Sequence, residues 1–307
     1  MVDILLAVYN GEKYLKEQID SIISQTYKDW QIIISDDCST DGTKSIIMKY
    51  KSKFPDKIKY YSNEKNSKSP MANFSKLLEL AESPYVMMCD HDDVWLENKI
   101  ELTLSAMKNF ESENSNLPIL VHTDLKVVDC NLNLLSNSMM KSQKLNPKAQ
   151  SLKEIIVQNN VTGCTLMANR KLVEMSKNIP KCAIMHDWWM ALVASAFGKI
   201  CFLDIPTILY RQHESNQVGS KNVQKVSFIL SKMFDKKEIK RSIFATYDQS
   251  RAFLDRFYNE LSNDQKKLIE DYLSLDKGNK ISRLIKLINF GFLKYGFVRK
   301  IGQIIYI

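Results

Sequence analysis

Apolar positions fall into two alternating rhythms over the first third of the chain. Nearly continuous apolar runs at Val2 to Tyr9, Trp30 to Ser35, Ile58 to Ser62 and Tyr85 to Cys89 predict strands buried on both faces. Between them, Tyr14, Leu15, Gln18, Ile19, Ile22 and Ile23 recur at helical spacing, as do Phe74, Leu77, Leu78 and Ala81. Ser69-Pro70 supplies the latter helix with an N-cap and a first-position proline. Strand and helix in strict alternation predict an α/β fold, a parallel sheet with crossover helices over residues 1 to about 110.

Further along, the pattern predicts a helix from Trp95 to about Phe110, a strand over Leu117 to Val128, and a polar, mobile excursion from Asn131 to Gln150. A strand over Val161 to Ala168, a helix over His186 to Phe197 and a last strand over Ile200 to Tyr210 follow. From Lys221 the text is helical and without strand alternation. The expected division is therefore a sheet domain over 1–220 and a helical extension over 221–307.

Charge sharpens that division. The net +8 is carried by the tail: residues 221–307 hold 18 Lys and Arg against 9 Asp and Glu, whereas residues 1–220 sum to about −1. After Asp276, Lys277, Lys280, Arg283, Lys286, Lys294, Arg299 and Lys300 face no acidic residue. Ile281, Leu284, Ile285 and Ile288 share one face of this last segment, with Lys280, Arg283 and Lys286 opposite. Such a basic amphipathic helix suits an anionic membrane surface, and equally a helix packed on its own domain.

Six scattered cysteines without a C-x-x-C pair read as reduced thiols, no stretch approaches the roughly 20 apolar residues of a membrane span, and no basic region precedes Ile4 to Tyr9 as in a signal peptide. The expectation is a cytoplasmic protein that can lie peripherally at a membrane surface.

The candidate chemistry lies where the strands end, since open α/β sheets bind ligands at the carboxyl ends of their strands. Tyr9-Asn10-Gly11, Asp36-Asp37-Cys38-Ser39 and Asp90-His91-Asp92-Asp93 all fall there. Three carboxylates within four residues are hard oxygen ligands suited to Mg²⁺ or Mn²⁺. A solvated turn capping the next helix is the simpler account of such a cluster, and the other strand-end motifs favour the metal.

Taken in order, Val8-Tyr9-Asn10-Gly11, Ser35-Asp36-Asp37-Cys38-Ser39-Thr40-Asp41-Gly42, Cys89-Asp90-His91-Asp92-Asp93-Val94-Trp95, His186-Asp187-Trp188-Trp189 and Tyr210-Arg211-Gln212-His213 resemble the family 2 glycosyltransferases of the GT-A fold, most of all bacterial rhamnosyltransferase-like enzymes of surface-polysaccharide synthesis. The resemblance covers about residues 1–219. It implies a GT-A mixed sheet flanked by helices, followed here by the C-terminal helical extension. It also implies metal-dependent, inverting transfer of a sugar from a dTDP- or UDP-linked donor, dTDP-L-rhamnose above all, to a lipid-linked saccharide.

By that resemblance Ala7, Tyr9, Asn10, Asp37, Asp90 and Arg211 contact the donor, Asp37 at the N3 hydrogen of a pyrimidine dione and Arg211 at the diphosphate. Asp90, Asp92 and His213 are the expected metal ligands, and Asp93 supports them or caps a helix. His91 turns away, toward a structural or ribose contact. Asp187 is the expected base for the acceptor hydroxyl, favoured as an anion by the start of its helix. Gly163 permits close backbone approach on the acceptor side, and Trp188 and Trp189 form a wall for a sugar ring. The run 214–219 is expected to order over bound donor.

Other classes fit less well. A dinucleotide-dependent oxidoreductase needs G-x-G-x-x-G after its first strand, and a nucleotidyltransferase a glycine-rich loop; only Gly11 lies there. No nucleic-acid motif accompanies the basic tail, so no nucleic-acid partner is expected. A non-catalytic nucleotide- or sugar-binding protein would leave the carboxylates without a task.

Overall fold

The computed structural model describes residues 1–213 and 236–307. The stretch expected to close over donor, 214–219, lies outside the described residues.

Strands β1 (Val2–Val8), β2 (Trp30–Asp36), β3 (Ile58–Ser62) and β4 (Tyr85–Cys89) run parallel, linked by helices α1 (Leu15–Ile23), α2 (Thr43–Lys53) and α3 (Pro70–Leu80). Ser69 caps α3 by accepting the Ala72 amide, and Pro70 opens it, as the sequence predicts. The remaining strands are β5 (Val94–Trp95), β6 (Ile119–Val128), β7 (Leu134–Ser136), β8 (Leu166–Asn169) and β9 (Lys199–Arg211), and the sheet order is β3-β2-β1-β4-β8-β6-β9-β5, with β7 pairing β6. Because β8 pairs antiparallel to β4 and β6, the sheet is mixed. Chain order reverses at β1, between β2 and β4, which opens a crevice beyond the carboxyl ends of β1 and β4.

Helices cover both faces because successive strand residues point to opposite sides. Val2, Ile4, Leu6 and Val8 enter one apolar cluster, together with Leu15, Ile19 and Ile22 of α1 and with α4 (Lys99–Glu113). Leu5 and Ala7 enter the other, with α3, α6 (Leu152–Ile155), α7 (Arg170–Ser176) and α8 (His186–Phe197). Between β7 and α6 lies the short α5 (Met139–Ser142).

The C-terminal region is helical as expected: α9 (Lys236–Arg256), α10 (Asn263–Leu273), α11 (Lys280–Phe290) and α12 (Phe297–Tyr306). It shares a core with the sheet, since Tyr247, Phe253, Phe257, Ile269, Tyr272, Leu287, Phe292 and Ile307 are buried in the same cluster as α8. On α11, Leu284 and Leu287 turn inward, and Arg283 and Lys286 donate to the carbonyls of Asp276 and Ser274. Ile281, Ile285 and Ile288 are left exposed. The apolar face is thus split: Leu284 goes to the core and the three isoleucines to solvent. No helix among the described residues is long and apolar enough to cross a membrane.

Three local expectations are corrected. Trp95 does not open a helix: the Leu96 amide donates to Thr207 O at 2.9 Å and Trp95 pairs with Ile208, so this stretch is an edge strand and α4 begins at Lys99. The strand expected from Val161 is interrupted by a 3-10 turn, Gly163–Thr165, in which the Thr165 hydroxyl donates to Thr162 O at 2.7 Å. The excursion 131–150 is tied down: Asp124 accepts the Met139 and Met140 amides at 3.1 and 3.2 Å and the Ser138 hydroxyl.

Candidate functional site

The loops after β1 and β2 are knitted together at the rim of the crevice. Asn10 adopts φ 48°, a left-handed conformation that asparagine tolerates, and in doing so donates its amide to Ser39 Oγ at 2.9 Å. Its side-chain oxygen accepts the Thr40 amide at 2.9 Å, and the Gly11 amide donates to Thr43 Oγ1 at 2.8 Å. Tyr9 is left exposed beside this seam, while Ala7 is buried at the end of β1, one residue past the Leu6–Cys89 pair and thus next to Asp90 in register.

Asp37 is buried and fully engaged. Its carboxylate accepts Asn63 Nδ2 at 2.7 Å, the Ser67 amide at 2.9 and 3.0 Å, and Ser67 Oγ at 2.8 Å. A base N3 hydrogen would have to displace one of these donors, so Asp37 here organises the loop 63–69. Neither Asn63 nor Ser67 is legible as a partner from sequence, because the contact spans about thirty residues of chain.

Below β4 the acidic group divides in two. Asp92 pairs with His213, Oδ2 to Nε2 at 2.8 Å, and the His213 ring lies 4.9 Å from that of Tyr14. Burial opposes ionisation of Asp92, but the His213 hydrogen bond and the charges of His91 and His213 outweigh it and hold the carboxyl below its ordinary value. Asp90 behaves oppositely: burial, then the charges of Asp92 and Asp187, push it up to about 7. Asp93, wholly buried, is also raised well above its ordinary value, by burial and then by Asp92 and Asp90, and its Oδ2 has no hydrogen-bond partner among the described residues.

The expected ligand trio Asp90, Asp92 and His213 is therefore not gathered at one point. Among the described residues the atoms that converge, within 4.8 Å of one another, are those of Asp90, Asp93 and Cys164. Burial keeps the Cys164 thiol protonated, which makes it a poor ligand for a hard cation. The carboxylates fit a divalent ion: those of Asp90 and Asp93 converge within 4.8 Å, and Asp93 Oδ2 has no hydrogen-bond partner among the described residues. Lys99, buried with Nζ 4.6 Å over the Trp95 ring and no hydrogen bond among the described residues, is lowered to about 8 chiefly by burial. From sequence it reads as an ordinary first-turn lysine.

Arg211 is 2% exposed and turned inward. Its guanidinium donates to the carbonyls of Asp92 at 2.9 Å and Cys130 at 2.8 Å and to the Glu17 carboxylate, and its amide donates to Asp93 Oδ1 at 3.1 Å. Instead of opening toward a diphosphate, it fastens the Asp92–Asp93 backbone to α1. Glu17 carries no sequence signal for this task. His91 lies against the β1 loop, since a Cβ on Gly11 would approach its ring to 2.8 Å.

Across the crevice, where the acceptor residues are expected, Asp187 stands in the first turn of α8 and accepts the Gly163 amide at 2.9 Å and the Trp188 amide at 2.6 Å. Burial raises it to about 6 against these two bonds. The close approach at Gly163 is made by the protein itself: a Cβ there would meet His186 Nε2 at 2.8 Å. His186 is buried without a side-chain hydrogen bond among the described residues, its ring 4.0 Å from Phe74. Trp189 corrects the expected wall, being wholly buried against Phe253 and Phe257. Trp188 is partly buried and donates Nε1 to Ile155 O at 2.7 Å.

Comparison with known proteins bears on the family and the fold. Residues 3–174 match the family profile described as Glycosyl transferase family 2. The chain is 29% identical over 228 residues to the dTDP-rhamnosyl transferase RfbG of Shigella flexneri, spanning 70% of this chain and 74% of that protein. It is 36% identical over 107 residues to the putative teichuronic acid biosynthesis glycosyltransferase TuaG of Bacillus subtilis, 35% of this chain and 42% of that protein. Among solved structures, S. aureus TarS 1-349 with UDP-GlcNAc superposes with TM-score 0.58 at 20% identity, covering 94% of this chain and 73% of that one. The mannosyltransferase PcManGT of Pyrobaculum calidifontis, with GDP-Man and Mn2+, gives 0.56 at 13%, covering 94% and 72%. These structural likenesses establish a GT-A-type fold.

Proposed function

The chain belongs to glycosyl transferase family 2, a glycosyltransferase of GT-A fold, and from that premise we propose that it transfers L-rhamnose from dTDP-rhamnose, with inversion, to a lipid-linked saccharide. One observation carries the mechanism: Asp187 accepts the Gly163 amide at 2.9 Å, and the next residue, Cys164, brings its sulfur within 4.8 Å of the Asp90 carboxylate, so the Asp187 and Asp90 carboxylates approach one crevice from its two sides. The donor is favoured by the rhamnosyl transferase relative, which spans most of both chains.

The acceptor hydroxyl gives its proton to Asp187, whose two oxygens are fixed by the Gly163 and Trp188 amides and whose affinity near 6 suits a base at neutral pH. The hydroxyl oxygen forms its bond to the anomeric carbon from the side opposite the diphosphate. The anomeric C–O bond breaks, and the electron pair leaves with the nucleoside diphosphate. Asp90, whose carboxylate converges with that of Asp93, and the neighbouring Asp92, which His213 orients, would hold Mn²⁺ or Mg²⁺, which when bound stabilises charge on the leaving diphosphate. Arg211 serves as a positioning residue that fixes the Asp92 backbone. Tyr9, Asn10 and the loop ordered by Asp37 form the nucleoside rim.

Attachment to the cytoplasmic face of the membrane is proposed for α11, where Ile281, Ile285 and Ile288 project from a segment without acidic residues after Asp276. Since α11 and α12 also contribute to the core, substitution is the suitable test. Ile281→Glu/Ile285→Glu/Ile288→Glu should abolish binding to anionic vesicles and leave turnover of a soluble acceptor unchanged; undiminished vesicle binding would reject the anchor.

A panel of nucleotide sugars with and without Mn²⁺, scored by thermal shift and by release of nucleoside diphosphate, tests the activity. dTDP-rhamnose should stabilise the protein in a metal-dependent way that Asp92→Asn removes. A UDP-hexose in its place would change the substrate and keep the chemistry, whereas no response to any nucleotide sugar would overturn the proposal.

A further inference from the structure

A concavity of about 770 Å³ opens between the α5–α6 region and the turn joining α11 to α12, with none of its lining residues drawn from the carboxylate crevice. Both walls are built. The Arg299 guanidinium donates to Gln143 O at 2.8 Å and Lys144 O at 3.2 Å, and the Tyr295 amide donates to Gln158 Oε1 at 3.0 Å.

Lys141, Lys144, Lys294 and Lys300 line it, and none of them forms an ion pair among the described residues. Lys294 is partly buried and held below its ordinary value by burial and by the neighbouring Arg299. Of the two acidic residues on the lining, Glu154 is occupied in capping α6, accepting the Ser151 amide and hydroxyl at 3.2 and 2.6 Å, and Asp204 is exposed at the rim. The cavity thus keeps a surplus of unpaired cations. Beside them its surface is apolar, with Phe202, Leu293 and Tyr295, and Phe297 projects from it 78% exposed.

Cations without acidic partners recognise phosphate; an apolar lining and an exposed aromatic lip recognise a hydrocarbon attached to it. Position adds a third constraint. The lining segment 154–160 leads within three residues to Gly163, whose amide holds Asp187, and Ile155 within the same stretch accepts the Trp188 indole. The cavity therefore adjoins the acceptor side of the site.

We propose that this cavity binds the phosphate-bearing head of an amphiphilic acceptor, a prenyl-type phosphate or diphosphate, and so presents the attached saccharide to Asp187. The proposal rests on the transferase reading above for its direction of use, but the site itself is testable without turnover.

The full chain is titrated in EDTA with farnesyl diphosphate, farnesol and inorganic diphosphate, without vesicles, so that neither the carboxylate site nor α11 competes. Farnesyl diphosphate should bind at least about tenfold tighter than either half-molecule, and each of Lys144→Gln, Lys294→Gln and Lys300→Gln should weaken it by about tenfold, as expected for one charge-assisted contact. Lys144 and Lys300 are exposed, so their variants should fold normally. Inorganic diphosphate binding as tightly as the prenyl ester would overturn the amphiphile, and unchanged affinity in all three variants would overturn the site. Retained donor-dependent thermal shift and nucleotide release alongside either failure would leave the transferase reading standing and remove only this cavity from it.

Discussion

Asp187→Asn separates catalysis from folding more cleanly than other changes at the site. The wild-type carboxyl, raised to about 6, should be more than 90% ionised near pH 8, and turnover should fall about tenfold per unit below pH 6 as the base takes up its proton. The amide has the same shape but no basicity, so kcat should drop by about 10²–10⁴, or about 3–5 kcal/mol of transition-state stabilisation, and the acid limb of the profile should vanish.

Stability should move the other way. A carboxyl raised from 3.8 to about 6 favours the protonated folded state, a contribution fully present below the unfolded value and lost as pH rises through 6. About two units at about 1.4 kcal/mol each bound the strain of the ionised form near 3 kcal/mol, less whatever solvent screening relieves. Asparagine removes that strain but can accept only one of the Gly163 and Trp188 amides well, a loss of about 1 kcal/mol. The variant's Tm near pH 8 should therefore equal or exceed that of wild type, with no such gain at pH 4. Donor affinity should hold within about twofold, since the Asp187 carboxylate is held by the Gly163 and Trp188 amides and not by the residues of the donor rim. Turnover above about a tenth of wild type, or donor binding lost in step with kcat, would refute the base assignment.

Three further outcomes are expected. Asp90 is raised to about 7 and Asp93 is raised too, so the metal-free protein should lose stability as pH rises through 7; saturating Mn²⁺ should flatten that slope, read by thermal shift, and release protons, read by titration calorimetry in two buffers of different ionisation enthalpy. Trp189→Ala should cost about 3–5 kcal/mol in urea unfolding by emptying the contact with Phe253 and Phe257, with no specific change in KM for acceptor in whatever folded protein remains. Gly163→Ala should push the His186 ring off its place, destabilise by about 1–3 kcal/mol and lower kcat through Asp187 while sparing donor binding; an unchanged kcat would show that Asp187 is not positioned from this turn.

Much of the layout was legible because local rules and tertiary structure agree. The apolar runs at β1, β2 and β4 needed no context, since a strand buried on both faces must be apolar throughout. The Ser69-Pro70 cap of α3 is likewise a local device. Trp95 was misread because a two-residue edge strand has no period, and its pairing with β9 lies more than a hundred residues away.

The same boundary runs through the site. Residue order alone determined that Asp37, Asp90 and Asp92 stand at strand ends, since the ends are where the apolar runs stop. Only tertiary structure decided what each does there. Arg211 looks from sequence like a surface cation, yet a buried charge needs partners, and it turns inward to Glu17 and the carbonyls of Asp92 and Cys130. Trp188 and Trp189 are indistinguishable as letters, but a helix rotates adjacent side chains by about 100°, and the packing of α9 on α8 sends Trp189 into the core while Trp188 remains at its edge. Strand position is written in composition; charge balance and side-chain direction are properties of neighbours brought together by the fold.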